Sequence, residues 1–382
     1  MQVSIKYWFI LLLTLLLSAC ITEDSFENTP EGNFEALWKI IDEHYCFLDY
    51  KNKEYGLNWD QIHSDYKRRI TANMNSKELF DVLSEMLNEL RDGHVNLVSK
   101  DRISQYRRWY DNYPRNFSDS IQSVYLGKDY YLASGLKYCI LEDNIAYIYC
   151  SSFENSLGSG NLDQILQILA PCNGLIIDVR NNGGGVLTTA DKLASRFTND
   201  RILVGYISYK TGPGHQSFSK PKPIYMDPST SNVRWQKKTV VLTNRRSYSA
   251  TNDFVNKMRQ LPNVTIVGDR TGGGSGLPFS SELPNGWSIR FSASPIYDTD
   301  MQHLEFGIDP DVKVDISSDP QVLYTHKMQT ELGRLQTEQL CLTTAVHQLQ
   351  HMKQECMIQV ILTQCFQQST TKMLLQLEIT HF

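Results

Sequence analysis

Five short apolar runs, regularly separated by amphipathic stretches, constrain this chain more than any other feature. "NIAYIYC" (144–150), "GLIIDV" (174–179), "RILVGYIS" (201–208), "KTVVLT" (238–243) and "NVTIVG" (263–268) have the length and β-branched content of buried strands. Between them, "NLDQILQILA", "LTTADKLASRF" and "ATNDFVNKMRQL" space their apolar residues as helices do. Strand and helix in alternation imply an α/β layer architecture around a largely parallel central sheet. Upstream, "FEALWKIIDEHYCFL" and "SKELFDVLSEMLNEL" are apolar at spacings of three and four, and Ser76 with Glu78 marks the start of the second helix. A small helical module therefore precedes the sheet.

The termini are of a different character. "MQVSIKYWFILLLTLLLSAC" has an early lysine, an apolar run from Trp8 to Leu17 and a small-residue end. That is the pattern of a secretory signal too short to serve as a comfortable membrane span. Leu17-Ser18-Ala19-Cys20 resembles a bacterial lipobox, which implies cleavage before Cys20, lipidation there, and anchoring through several acyl chains. Because Ile21 follows Cys20, the expected destination is the outer membrane of the cell envelope. The expected division is a signal peptide over 1–19, a tether over 20–32 and a helical domain over 33–104. A linker over 105–139, a core over 140–316 and an atypical tail over 317–382 follow.

Several chemistries are excluded early. A net charge of −5 without a long basic run removes the electrostatic footprint of a nucleic-acid binder. The seven cysteines after Cys20 show no zinc spacing; Cys139 and Cys150 either bridge neighbouring strands or are buried as small apolar side chains. His347 and His351 in "HQLQH" lack the glutamate of a zincin helix. The glycine-rich "GDRTGGGSG" (268–276) carries Gly274 where a phosphate loop has its lysine, so it does not neutralise a nucleotide. No metal and no organic cofactor is implied.

Three segments at strand ends can carry chemistry, since sites in open α/β sheets collect there. In "IIDVRNNGGGVLTTADKL" a strand ends at Asp178-x-Arg180 and a glycine turn leads into a helix. Glycines bring backbone N–H groups close to a ligand, and the helix start adds positive potential, which suits an oxyanion hole. The same pattern also describes a bare strand-to-helix turn organised by Asp178 and Arg180. In "VVLTNRRSYSATNDFVNKM", Ser247, Ser249 and Thr251 stand just before or at a helix start. A serine there is either an N-cap or, with a base in reach, a nucleophile. The glycine run is the third segment.

Taken in order, "DVRNNGGG", "VVLTNRRSYSATNDF", "VGDRTGGGSG" and "LEFGIDPDVKV" resemble the S41 peptidases, the C-terminal processing or tail-specific proteases. The resemblance spans roughly residues 30–316. It implies a ClpP- and crotonase-like spiral α/β core that acts on polypeptides through a serine. Carried across, the roles put Ser249 at the nucleophile position and Gly183 or Gly184 with the Ala250 N–H in the oxyanion hole. In the processing branch a lysine base follows at the position that Gly274 holds here, and Lys257 lies two helical turns past the serine. The tricorn-like branch uses a histidine from the N-terminal part and a late glutamate. "LNELRDGHVNL" offers His94 as that base and "HLEFGIDPD" offers Glu305 as its acidic partner, although Gly93 replaces a serine found there in tricorn-type sites. The span leaves no room for the PDZ domain of many processing proteases. The expectation is a lipid-anchored serine endopeptidase; the alternative is an inactive module binding a peptide or apolar ligand, and a weaker one is carbohydrate or envelope-polymer binding.

Overall fold

The computed structural model describes residues 25–141, 144–314, 345 and 347–350. The lipobox with Cys20, the tether up to Asp24 and nearly all of the tail, including His351, lie outside these residues.

Four helices open the fold: α1 (Pro30–His44), α2 (Leu48–Tyr55), α3 (Trp59–Lys67) and α4 (Ser76–Asn88). Thr29 caps α1 by accepting the Gly32 N–H, with Pro30 in the first turn, where a missing N–H costs nothing. The cap of α4 is Asn75, one residue before the expected Ser76. Its side chain accepts the Lys77 and Glu78 N–H groups while the Glu78 carboxylate takes the Asn75 N–H, a reciprocal capping box. Helix α2, "LDYKNKEY", gives no sign in the sequence because its polar residues hide the apolar spacing; it ends at Gly56, whose φ of 76° suits only glycine well. Phe34, Leu37 and Ile41 of α1 meet Leu79, Leu83 and Met86 of α4 over Ile289 and Phe291 of a strand far along the chain.

The central sheet has seven strands: β2 (Tyr131–Ala133), β3 (Leu136–Leu141), β4 (Ile145–Tyr149), β5 (Gly174–Asp178), β8 (Thr239–Thr243), β9 (Val264–Gly268) and β12 (Val312–Lys313), in the order β12-β9-β8-β5-β4-β3-β2. From β12 to β4 the pairing is parallel; β3 and β2 are antiparallel. All residues of β4, β5 and β8 are buried, with Leu175 and Ile177 in one core and Ile176 in the other, so the runs read as continuously apolar. Residues 105–139 are no linker. They carry α5 (Arg108–Asp111), α6 (Asp119–Leu126), β2 and most of β3, and Leu136 and Tyr138 join the main core. Helices α7 (Ser159–Leu169), α8 (Leu187–Ala194) and α9 (Ala250–Met258) cover one face of the sheet.

The second sheet is antiparallel and joins β1 (Asn96–Val98), β6 (Ile202–Ile207), β7 (Lys222–Met226), β10 (Gly276–Glu282) and β11 (Ser288–Tyr297). The alternation of strands and helices places residues 201–208 beside the parallel strands. They form β6 in this sheet instead, half-exposed as an antiparallel strand with one solvated face can be. Cys46, Cys139, Cys150 and Cys172 are all buried, and among the described residues no disulfide joins them; Cys139 stands opposite Tyr147 in the β3–β4 register, so it does not bridge to Cys150. Among the described residues no helix is long and apolar enough to cross a membrane.

Candidate active site

Because β5, β8 and β9 run parallel, the segments after their carboxyl ends converge. After β5, Arg180 forms a two-pronged pair with Asp178, Nε to Oδ1 at 2.9 Å and an Nη to Oδ2 at 2.7 Å, both side chains fully buried. Tyr147 donates to the same carboxylate at 2.7 Å. These residues organise the turn and do not face the cleft. The Ser247 hydroxyl is also spent internally, on the Val179 carbonyl at 2.9 Å.

Ser249 sits at the N-cap position of α9 but makes no side-chain cap. Its φ of 58° and ψ of −119° are strained for a residue with a Cβ, at a cost of order 1–3 kcal/mol. Its Oγ lies 2.9 Å from Nε2 of His94, which arrives from the opposite end of the sequence just before β1. His94 is 4% exposed, and its pKa falls to about 4, chiefly through burial; Arg290 and Lys51 push the same way and Asp92 opposes. The imidazole is therefore neutral at pH 7. With the proton on Nδ1, Nε2 is free to accept one from the serine. His94 Nδ1 is buried and meets no hydrogen-bond partner among the described residues.

Glu305 is not hydrogen-bonded to His94. Its Oε1 accepts from Lys51 of α2 at 2.9 Å, its Oε2 from the Ser275 N–H at 3.2 Å, and its carbonyl from the Gly274 N–H at 3.0 Å. The carboxylate joined to the histidine segment is Asp92, whose Oδ1 accepts the His94 backbone N–H at 2.7 Å. Asp92 Oδ2 accepts Tyr45 and Ser292 hydroxyls, each at 2.9 Å, and lies 4.0 Å from Lys51. One buried ammonium thus serves two buried carboxylates. Burial opposes ionisation of Asp92, yet Lys51, His94 and the hydrogen bonds outweigh it and hold its pKa below the usual value. Glu305 goes the other way, up to about 8, through burial and then the charge of Asp92.

The glycine run forms a wall by close approach. Ser249 donates its N–H to the Gly273 carbonyl at 2.8 Å, pinning the serine to the run. A Cβ on Gly273 would lie 1.9 Å from the Glu305 carbonyl oxygen, and one on Gly274 2.4 Å from the Tyr248 ring, both at positive φ. Gly93 is under the same pressure: a Cβ there would meet the Tyr248 hydroxyl at 2.8 Å. Trp109 stacks on Tyr248 at 4.1 Å. Lys257 does not reach the site, being paired with Asp191 and Asp253.

Of the expected oxyanion donors, Gly184 gives its N–H to Asn182 Oδ1 at 2.9 Å. Its backbone nevertheless abuts the serine: a Cβ would sit 2.9 Å from both Ser249 Cβ and the Ala250 nitrogen. The N–H groups of Gly183 and Ala250 donate to no partner among the described residues. Gly185, Ser249, His94 and Gly274 line a common cavity of about 300 Å³. Asp92 was within reach of the sequence, two residues before His94 in the quoted motif; Lys51 and Arg290 had no local signal.

Comparison with known proteins points to one family. The model of Peptidase family S41 matches residues 144–314 and that of the Tricorn protease C1 domain matches residues 26–88. Carboxy-terminal processing protease CtpA of Bacillus subtilis is 24% identical over 177 residues, 46% of this chain and 36% of that protein. A probable CtpA-like serine protease of Staphylococcus haemolyticus is 26% identical, over 45% of this chain and 34% of that protein. The chain thus spans about a third of the length of these two relatives. The crystal structure of a "putative peptidase" from Parabacteroides merdae aligns with a TM-score of 0.76 and 50% identity, covering 85% of this chain and 97% of that one. Mature CPAF complexed with lactacystin shares the fold, at a TM-score of 0.64 and 12% identity over 84% of this chain and 98% of that one. The family match over the sheet, joined to a relative identical at half its positions along nearly its whole length, means that this chain belongs to peptidase family S41.

Proposed function

We propose that the protein is a serine endopeptidase that hydrolyses polypeptides outside the cytoplasm, held on the outer membrane of the cell envelope by lipid at Cys20. The observation that carries the catalytic part is the 2.9 Å contact between Ser249 Oγ and His94 Nε2. Ser249 attacks the scissile carbonyl as His94 takes its proton; the C–N bond then breaks, His94 gives that proton to the leaving amine, and water hydrolyses the acyl-enzyme with the same base. Protonating an imidazole held near pH 4 costs about 3 kcal/mol relative to one in water, and without the ionised Asp92 beneath it that cost would be larger. The oxyanion is received by the Ala250 N–H at the start of α9 and by the glycine turn, with Gly183 unengaged and Gly184 abutting the serine. Glu305 acts indirectly, by fixing Lys51 and the glycine wall. The lipid anchor rests on the lipobox and the signal sequence alone.

The test uses protein starting after Cys20, incubated with an unfolded protein and read by mass spectrometry. Loss of cleavage in both Ser249→Ala and His94→Ala supports the assignment. Equal cleavage by Ser249→Ala and wild type sinks it, and a folded wild type that cleaves nothing favours the binding module.

A further inference from the structure

The cavity beside Ser249 is walled on one side by apolar residues, Leu277, Pro278, Ile296 and Leu304 among them. Besides neutral His94, the ionisable side chains that line it are Asp253 and Arg290. Asp253 is already matched, because Lys257 pairs with it one helical turn on. Arg290 is not: no carboxylate lies within ion-pair distance of its guanidinium among the described residues. Its neighbours across the sheet, Asn96 on β1 and Ser280 on β10, are uncharged. Strand alternation puts Arg290 on the same face as Ser292, whose hydroxyl donates to Asp92 beneath His94. Arg290 is exposed at the rim of this mostly apolar cavity, and a guanidinium open to solvent there without a counter-ion is suited to a planar carboxylate brought by a ligand.

We propose that Arg290 is a specificity-determining residue, which binds a carboxylate of the substrate next to the scissile bond while the apolar wall takes the neighbouring side chain. The inference rests on the peptidase reading of this cavity. The carboxylate is that of an Asp or Glu side chain or of a free chain end; the shared chemistry is what Arg290 recognises. The bound carboxylate also neutralises a cation that works against protonated His94. Burial is the main reason that His94 stays neutral, and Arg290 adds to it. Acidic substrates therefore gain in kcat as well as in KM.

The experiment uses synthetic apolar peptides that carry Asp or Glu, or Asn or Gln, at each position, each with a free or an amidated C-terminus. Wild type, Arg290→Gln and Arg290→Lys are compared by mass-spectrometric cleavage maps. Wild type is expected to prefer carboxylate-bearing peptides by about tenfold, the size of one charge-assisted hydrogen bond. Arg290→Gln erases the preference and Arg290→Lys retains most of it. A preference that follows Asp and Glu assigns the side chain, and one that follows the free terminus assigns the chain end. The same preference in wild type and Arg290→Gln overturns the proposal. A second arm needs no turnover: the peptides, tagged with an uncharged coumarin, are titrated by anisotropy against Ser249→Ala with and without Arg290→Gln. If nothing is cleaved, the peptidase reading fails, and this arm still decides the role of Arg290. Carboxylate preference lost with the arginine supports it; preference unchanged or absent refutes it.

Discussion

Nζ of Lys51 lies 2.9 Å from Oε1 of Glu305, a contact between residues 254 positions apart and with both side chains buried. It fastens the N-terminal helices to the segment that holds the glycine wall. The same ammonium is 4.0 Å from Asp92, which binds the His94 backbone.

Removing that cation leaves the ionised Asp92 without its counter-charge and Glu305 without its hydrogen-bond donor. Lys51→Met is expected to lose about 3–5 kcal/mol in urea unfolding, as buried pairs do when one partner is deleted. Lys51→Met with Glu305→Leu should recover part of it, since the buried carboxyl group that Lys51 bonded is then gone as well. A single variant as stable as wild type would mean that the pair contributes nothing to holding the modules together.

The acid limb of kcat/KM is expected near pH 4, where buried His94 titrates, and not near the 6.5 of an unperturbed imidazole. The linkage has a definite sign. Between about pH 4 and 6.5 the unfolded chain binds the proton and folded His94 does not, so its contribution to stability is complete above 6.5 and is lost as pH falls. His94→Gln should therefore lose less stability than wild type between pH 7 and 4, by about 3 kcal/mol. Glu305, raised from 4.5 to about 8, works in the opposite sense: its contribution is complete below 4.5 and declines as pH rises to 8. Denaturation of each single variant across pH separates the two.

Gly274→Lys should not create a lysine base. The added Cβ would meet the Tyr248 ring at 2.4 Å, on a backbone with φ of 76°. We expect a stability loss of about 2 kcal/mol or more in thermal unfolding, together with loss of peptidase activity. A variant with higher activity would show that Tyr248 yields easily.

Gly184→Ala tests the oxyanion wall. Its Cβ would press on the Tyr248 carbonyl at 2.7 Å and the Ala250 nitrogen at 2.9 Å. The expected fall in kcat is on the order of 10²–10³, as for loss of one oxyanion donor. Unchanged kcat would remove the glycine turn from the oxyanion site.

The sequence alone determined the elements with strong periodicity or punctuation. The apolar runs that became β4, β5, β8 and β9 read as strands because a strand covered on both faces is apolar at most positions, as their short β-branched stretches are. The motif order pointed to Ser249 and His94, which the fold brings to 2.9 Å from 155 positions apart. Tertiary structure decided what depends on distant partners. Strand β6 left the parallel sheet because β11 and β7 offered antiparallel edges. Residues 105–139 became part of the core because β3 pairs with β4. Glu305 turned from His94 to Lys51, on a helix whose polar sequence announces neither burial nor a partner. A buried charge is tolerated only where an opposite charge meets it, and no local pattern records where that partner comes from.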